Sequence, residues 1–303
     1  MLRFFQILCW SLTLCSTLFA QSGTEQGRIE SEFKLEVPKD IRTQLWAYLQ
    51  QEFSNEKVKQ IDARLTTSSS TEIFVDVYFD NDVNVLLENQ AGVRYRKRFI
   101  KDTLAKELVQ VKLPSGDSSG VARIEQKYNF YKEKKKSDRK AMHPFWKHVR
   151  PKDRADLDLQ LAPFRLQGDE LKQSIKVQQE RRRIYFQEDG EALLTITLDD
   201  VNYFYFPYPA FSEMELELNE IRYTLSDTKE RQRLEHLNND IKQQLMTAFP
   251  MLKQDQTPKY NKMHTLVGQS KVAWVYGRLQ YFILGGIVLW ALGLFIFRRR
   301  VRV

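Results

Sequence analysis

Between Gly27 and Leu218 the chain returns again and again to one pattern, short runs in which charged and apolar residues alternate with period two. Glu213-Met214-Glu215-Leu216-Glu217-Leu218 is the clearest of them, with three carboxylates on one parity and three apolar residues on the other. Successive side chains of a strand point to opposite faces, so each run reads as a strand with one charged and one oily face. The runs predict strands over residues 29–37, 73–79, 92–99, 107–113, 121–132, 174–187, 192–201 and 213–218. Two helices stand apart: after Pro38, Ile41, Leu45, Leu49 and Phe53 recur every four residues, and after a cap at Ser226 or Asp227, Leu234, Leu237, Ile241 and Leu245 form a second stripe that stops before Pro250. Eight strands suffice to close a small barrel. The expected class is α+β, mainly β: an eight-stranded antiparallel β-barrel with packing helices.

The charged parity carries the functional signal. Glu30, Glu32 and Lys34 share a face of the first run, and Glu213, Glu215 and Glu217 share a face of the last. Like charges stacked every second residue repel one another, and hard carboxylate oxygens at that spacing suit a divalent cation such as magnesium or manganese. Arg94, Arg96 and Arg98 are the electrostatic opposite, and Lys112, Arg123, Lys127, Arg181 and Arg183 recur at the same parity on later runs. Each run alone equally describes a solvated sheet face. Inside a closed barrel, an interior of carboxylates and guanidiniums needs a polar filling, and a polyanion with its cation supplies one. Arginine forks clamp phosphate oxygens while glutamates hold the ion that neutralises them. The formal net charge of +8 agrees with an anionic partner.

The two ends supply an address. After Met1-Leu2-Arg3 the chain stays apolar or small from Phe4 to Ala20 apart from Gln6, which reads as a signal peptide over 1–20 or an uncleaved signal anchor. Leu279 to Phe297 contains no charge and has the roughly 20-residue length that one transmembrane helix needs. Arg298-Arg299-Arg300 follow at once, and positive flanks stay cytoplasmic, so 298–303 reads as a basic cytoplasmic tail. The domain over 27–252 is then extracytoplasmic, periplasmic or at the cell surface, and 253–278 is its linker to a single-pass membrane anchor. Cys9 and Cys15 both fall in the leader, which excludes disulfides, zinc-thiolate sites and thiol redox chemistry from the domain.

These residues carry a resemblance. Glu30-Ser-Glu-Phe-Lys34 resembles the ExExK motif of the CYTH, or triphosphate tunnel metalloenzyme, superfamily, and Tyr78-Phe-Asp80 through Leu86-Leu87 to Arg94-Tyr-Arg96 is similar to its YFD…L…RxR block. Val109 to Lys112, Arg123-Ile-Glu125, Leu198-Asp199 and Glu213 to Glu217 follow in the family's order. Arg181-Arg-Arg183-Ile-Tyr185, Thr195 to Asp199 and Pro258-Lys259-Tyr260 are similar to the VTC-like, polyphosphate-polymerase branch, although Thr195 stands where that branch tends to carry an arginine. The resemblance spans about Ile29 to Tyr260.

It implies a tunnel that takes triphosphate or polyphosphate with magnesium or manganese. By the same resemblance Glu30, Glu32 and Lys34 are catalytic, and Glu30, Glu32, Glu213, Glu215 and Glu217 are metal ligands or orient the attacking water. Lys34, Arg94, Arg96, Lys112, Arg123, Arg181, Arg183 and Lys259 hold phosphates. The expected activity is a metal-dependent phosphohydrolase; the alternatives are a non-enzymatic tunnel that binds or senses a polyanion, and a VTC-like polymerase. Nucleic acid is not an expected partner. His143 and His148 read as surface histidines, and the aromatic stretch from Val201 to Phe211 as a barrel rim or a membrane-facing loop.

Overall fold

The computed structural model describes residues 28–115, 122–130, 142–206 and 210–271, together with 275, 286–287 and 289–290. All eight expected strands are present: β1 Arg28–Val37, β2 Thr66–Asp80, β3 Gly92–Ile100, β4 Thr103–Pro114, β5 Ala122–Asn129, β6 Lys172–Glu188, β7 Glu191–Tyr203 and β8 Ala210–Leu218. β2 begins seven residues before its predicted start, because Thr66 to Thr71 favours extended backbone without any apolar alternation to reveal it. A ninth strand, β9 Lys253–Gln254, pairs with Leu35 and Glu36 of β1. The expected eight-stranded sheet is therefore corrected to nine strands among the described residues; two residues are too short to show a period.

The sheet is antiparallel, in the order β5-β4-β3-β2-β6-β7-β8-β1-β9. β1 pairs with β8 over Glu32–Val37 and also with β5 over Arg28–Ser31. β1 thus meets β8 with its second half and β5 with its first, and the expected closed eight-stranded barrel is cut back to this nine-stranded antiparallel sheet.

Among the described residues, α-helices accompany the sheet: α1 Arg42–Glu52, α2 Asn55–Ile61, α3 Val85–Glu88, α4 Arg154–Leu161, α5 Glu220–Leu225, α6 Thr228–Ala248 and α7 Lys259–Gln269. α6 starts where the sequence placed it, with the Asp227 carboxylate accepting a hydrogen bond from the Glu230 backbone N–H at 2.8 Å. Its stripe and that of α1 bury Leu45, Leu49, Leu237 and Ile241 against Leu194, Ile196, Leu198, Met214 and Leu216 of β7 and β8. A second core lies over the outer face of β2 to β5, where Phe145, Trp146, Leu157 and Leu161 pack on Phe79, Val93, Val109 and Val111. His148 is half-buried beside this core and stacks on Tyr95 with ring centroids 4.1 Å apart.

The stretch read as a linker contains β9 and α7, and Tyr260 and Met263 of α7 are buried against Tyr78, Ile175 and Val201. Among the described residues no helix is long and apolar enough to cross a membrane. The leader at 1–20, the tail at 298–303 and all but four residues of the 279–297 segment lie outside the described residues.

Candidate functional site

The charged parity lines a cavity of about 290 Å³. Every basic residue nominated from the sequence borders it, from Lys34 on β1 through Arg94 and Arg96 on β3, Lys112 on β4 and Arg123 on β5 to Arg181 and Arg183 on β6 and Lys259 on α7. Arg98, Lys106 and Lys127 join them, which makes eleven cations against Glu125, Glu215 and Glu217 in the described lining. Glu72, Asp76, Asp199 and Glu213, all buried, stand directly behind and raise the carboxylates to seven. The triple-arginine run is divided by strand parity: Arg181 and Arg183 face the cavity, while Arg182 reaches Asp200 at 2.7 Å and lies over the Trp46 ring on the outer side.

The basic half is organised by carboxylates on the neighbouring strand. Asp76 is the register partner of Arg96, and its two oxygens accept from Arg96 Nε at 2.7 Å and Nη2 at 2.6 Å, with Arg94 Nη1 at 3.3 Å. Arg94 Nε donates in addition to Gln110 Oε1 at 2.8 Å. Burial by itself pushes the Asp76 carboxyl up; Arg96 and Arg94 outweigh it and hold the group below its ordinary value. Glu72 plays the same part for Arg183, at 2.6 Å, and for Arg98. Arg123 donates to the backbone carbonyl of Gln90 at 3.0 Å. The bidentate forks are therefore oriented before any ligand arrives.

The acidic half lies toward α7. Arg181 donates to both oxygens of its register partner Asp199 at 2.7 and 2.6 Å and to Glu215 at 3.0 Å. Oxygens of Asp199, Glu213 and Glu215 approach within 4.8 Å of one another, a hard-donor set of the type magnesium and manganese take. The Lys259 ammonium, however, sits 2.9 Å from Asp199, 2.5 Å from Glu213 and 2.6 Å from Glu215, and Lys34 and Lys262 add further contacts to the two glutamates. Burial raises the Glu215 carboxyl, but Lys259, Lys34 and Arg181 hold it well below its ordinary value, and Arg181 and Lys259 do the same for Asp199. Conversely, burial depresses Lys259 and these three carboxylates more than reverse it. The donor chemistry of the cluster suits a divalent ion, and Lys259, Lys34 and Lys262 offset its negative charge.

No family model matches the chain, and no curated protein does. Solved structures similar to it include the PH1819 protein of Pyrococcus horikoshii OT3, at 14% identity and TM-score 0.44 over 80% of this chain and 99% of that one. A Hippeastrum protein, HpAC1, described with a dominant triphosphatase activity, is similar at 15% identity and TM-score 0.46 over 76% and 93%. The RNA triphosphatase Pct1 of S. pombe is similar at 11% identity and TM-score 0.36 over 74% and 82%. These are likenesses of overall chain path; the chemistry assigned below rests on the tunnel's own side chains.

Glu217 lines the tunnel at the end of β8 away from α7 and is the register partner of both Glu32 and Thr195. Glu30 falls opposite Arg123 in the β1–β5 ladder; the side chains of Glu30 and Glu32 lie outside the described residues. Sequence reasoning missed Glu72, Asp76 and Gln110 as members of the site. Glu72, Asp76 and Asp80 share one parity of β2, a readable signal, but their pairing with arginines follows from register alone. Asp80 anchors the α7 end instead: it accepts from the backbone N–H groups of Leu86 and Leu87 at 3.0 and 2.9 Å and from the Tyr260 hydroxyl at 3.0 Å, while the Tyr260 ring stacks on Tyr78.

Proposed function

We propose that the chain is a membrane-anchored, extracytoplasmic, metal-dependent phosphohydrolase acting on triphosphate or polyphosphate compounds. The observation that carries this reading is the convergence of eleven cations, six of them buried, on one cavity of about 290 Å³ in the described lining. A chain of phosphates offers these cations anionic oxygens beyond the carboxylates that already hold them. Arg94 and Arg96, oriented by Asp76, and Arg181, oriented by Asp199, present forked donors to phosphate oxygens. Lys34, Lys112, Arg123 and Arg183 complete the grip, and Lys259 bridges the phosphates to the acidic cluster.

Magnesium or manganese, when bound, would withdraw charge from the phosphate oxygens. Glu32 and Glu217, register partners in the β1–β8 ladder, would hold it together with Glu30, two residues before Glu32 on β1; Glu213 and Glu215 would join them if Lys259 moved aside. The tunnel's basic groups hold the phosphates in line and stabilise charge developing on the departing phosphate, while a β1 glutamate orients the attacking water. Localisation rests on the leader and the uncharged segment at 279–297, and an extracytoplasmic site favours hydrolysis over polymer synthesis because nucleoside triphosphate donors are scarce there.

Purified full-length chain is expected to release phosphate from tripolyphosphate or ATP with magnesium or manganese, and Glu32→Gln or Glu217→Gln to abolish release. No turnover of either substrate with either metal overturns the reading. One observation favours a second reading, a non-enzymatic polyanion sensor: lysines already compensate the acidic cluster without any metal. That reading expects tight tripolyphosphate binding that survives chelation and the loss of Glu30 and Glu32.

A further inference from the structure

Lys176 is a cation that the tunnel does not use. It stands on the outer side of β6, has no carboxylate partner among the described residues, and places its ammonium 3.4 Å from the centroid of the Phe204 ring. Burial and the neighbouring charge of Lys97 both lower its affinity for a proton. The two lysines border a second cavity of about 290 Å³, outside the β2, β3 and β6 ladders, whose floor is formed by Val75, Val77, Phe79 and Tyr95. Lys97 has a distant carboxylate, Glu107 at 3.9 Å. Two neighbouring ammonium groups over an apolar floor, with little opposite charge at hand, call for an anion joined to an apolar body.

Lys176 joins the cavity to an aromatic turn. The Phe204 backbone N–H donates to the Lys176 carbonyl at 3.0 Å, and Tyr205, 43% exposed, lies 5.5 Å from the ring of Tyr203 and 5.4 Å from that of Phe204. Amphipathic rings and lysines together suit the headgroup level of a bilayer, where lysine stems lie along apolar surface and ammonium groups meet lipid phosphates. The position is also right. Tyr203 packs in one cluster with Met263 and Val267 of α7, α7 ends at Gln269, and the uncharged run begins at Leu279, so nine residues, at most roughly 30 Å of extended chain, separate this edge from the anchor.

We propose that the turn at Tyr203 to Tyr205, with Lys97 and Lys176, docks on an anionic lipid surface and holds the α7 end of the tunnel against the membrane. The docking rests on the membrane-anchored part of the proposed function and is independent of the reaction. It is tested on the full chain carrying Cys9→Ser and Cys15→Ser, with a spin label at Tyr205→Cys or, as a control, at Asp102→Cys in the β3–β4 turn. The chain is reconstituted in phosphatidylcholine vesicles with and without phosphatidylserine, and flotation, turnover and label accessibility to a water-soluble nickel complex are measured. In phosphatidylserine vesicles the label at 205 is expected to be roughly tenfold less accessible than the label at 102, and Lys97→Glu with Lys176→Glu to remove that protection with turnover unchanged. Protection that persists in excess inorganic phosphate supports a lipid surface; protection that phosphate abolishes overturns it in favour of a small-anion site. Equal accessibility at 205 and 102 in a chain that floats overturns the docking and leaves the anchor standing, whereas a chain that does not float overturns both.

Discussion

The two faces of β7 and β8 share one rhythm and are held by opposite physics. Toward α1 and α6, Leu194, Ile196, Leu198, Met214 and Leu216 are buried among helix side chains, and each contributes by leaving water, about 1.5–3 kcal/mol for a fully buried side chain of this size. Toward the tunnel, Thr197, Asp199, Glu213 and Glu215 are buried to the same depth, and there burial opposes folding until every charge has a partner. The apolar face depends on volume and the tunnel face on balance. A ligand can supply missing balance but not missing volume, so stability and ligand binding are separable on the same strands.

The sharpest way to break this contrast is Asp76→Asn, which leaves Arg94 and Arg96 without the carboxylate they share. Removing one partner of a buried ion pair costs about 3–5 kcal/mol, read from urea denaturation, and saturating tripolyphosphate should restore much of it by giving both guanidiniums an anion. No recovery with ligand sinks the distinction between the faces. Leu198→Ala, on the opposite face, is expected to lose about 2–5 kcal/mol through a cavity that no phosphate fills, with tripolyphosphate affinity in the folded protein unchanged as measured by calorimetry.

Of the two faces of β7 and β8, acid should act on the tunnel face. Asp76, Asp199 and Glu215 are held below their ordinary values of 3.8, 3.8 and 4.5. Their contribution is therefore complete above those values and is lost as pH falls below them through the depressed folded ones. The melting temperature of the wild type is expected to drop more steeply below about pH 4 than that of Asp76→Asn; parallel curves refute this. The smallest effect belongs to neither face. Leu225 on α5 is 81% exposed, and Leu225→Ala should shift stability by no more than about 0.5 kcal/mol in the same denaturation experiment.

Much of the fold was legible. Alternation located all eight long strands, and the helix stripes located α1 and α6, because burying one face of an element imposes its period on the sequence. It failed where that imprint is weak: at Thr66 to Thr71, at two-residue β9, and at α7, whose Lys259, Tyr260 and Met263 are buried within a stretch otherwise polar enough to resemble a connector. The site was legible as a set and illegible as a circuit. Arg94, Arg96 and Arg183 were all nominated, yet Asp76 and Glu72, which aim them, were not. Lys259 was expected on a phosphate and stands among three carboxylates.

Residue order alone settles which side chains share a face, since the two-residue repeat of extended backbone admits no other outcome. It is silent on who pairs with whom. Arg181 and Asp199 are 18 positions apart and Lys259 and Glu215 are 44 apart, and ladder register and the return of α7 bring them together. Those distances set the charge balance of the tunnel, because electrostatic energy depends on separation in space and not along the chain.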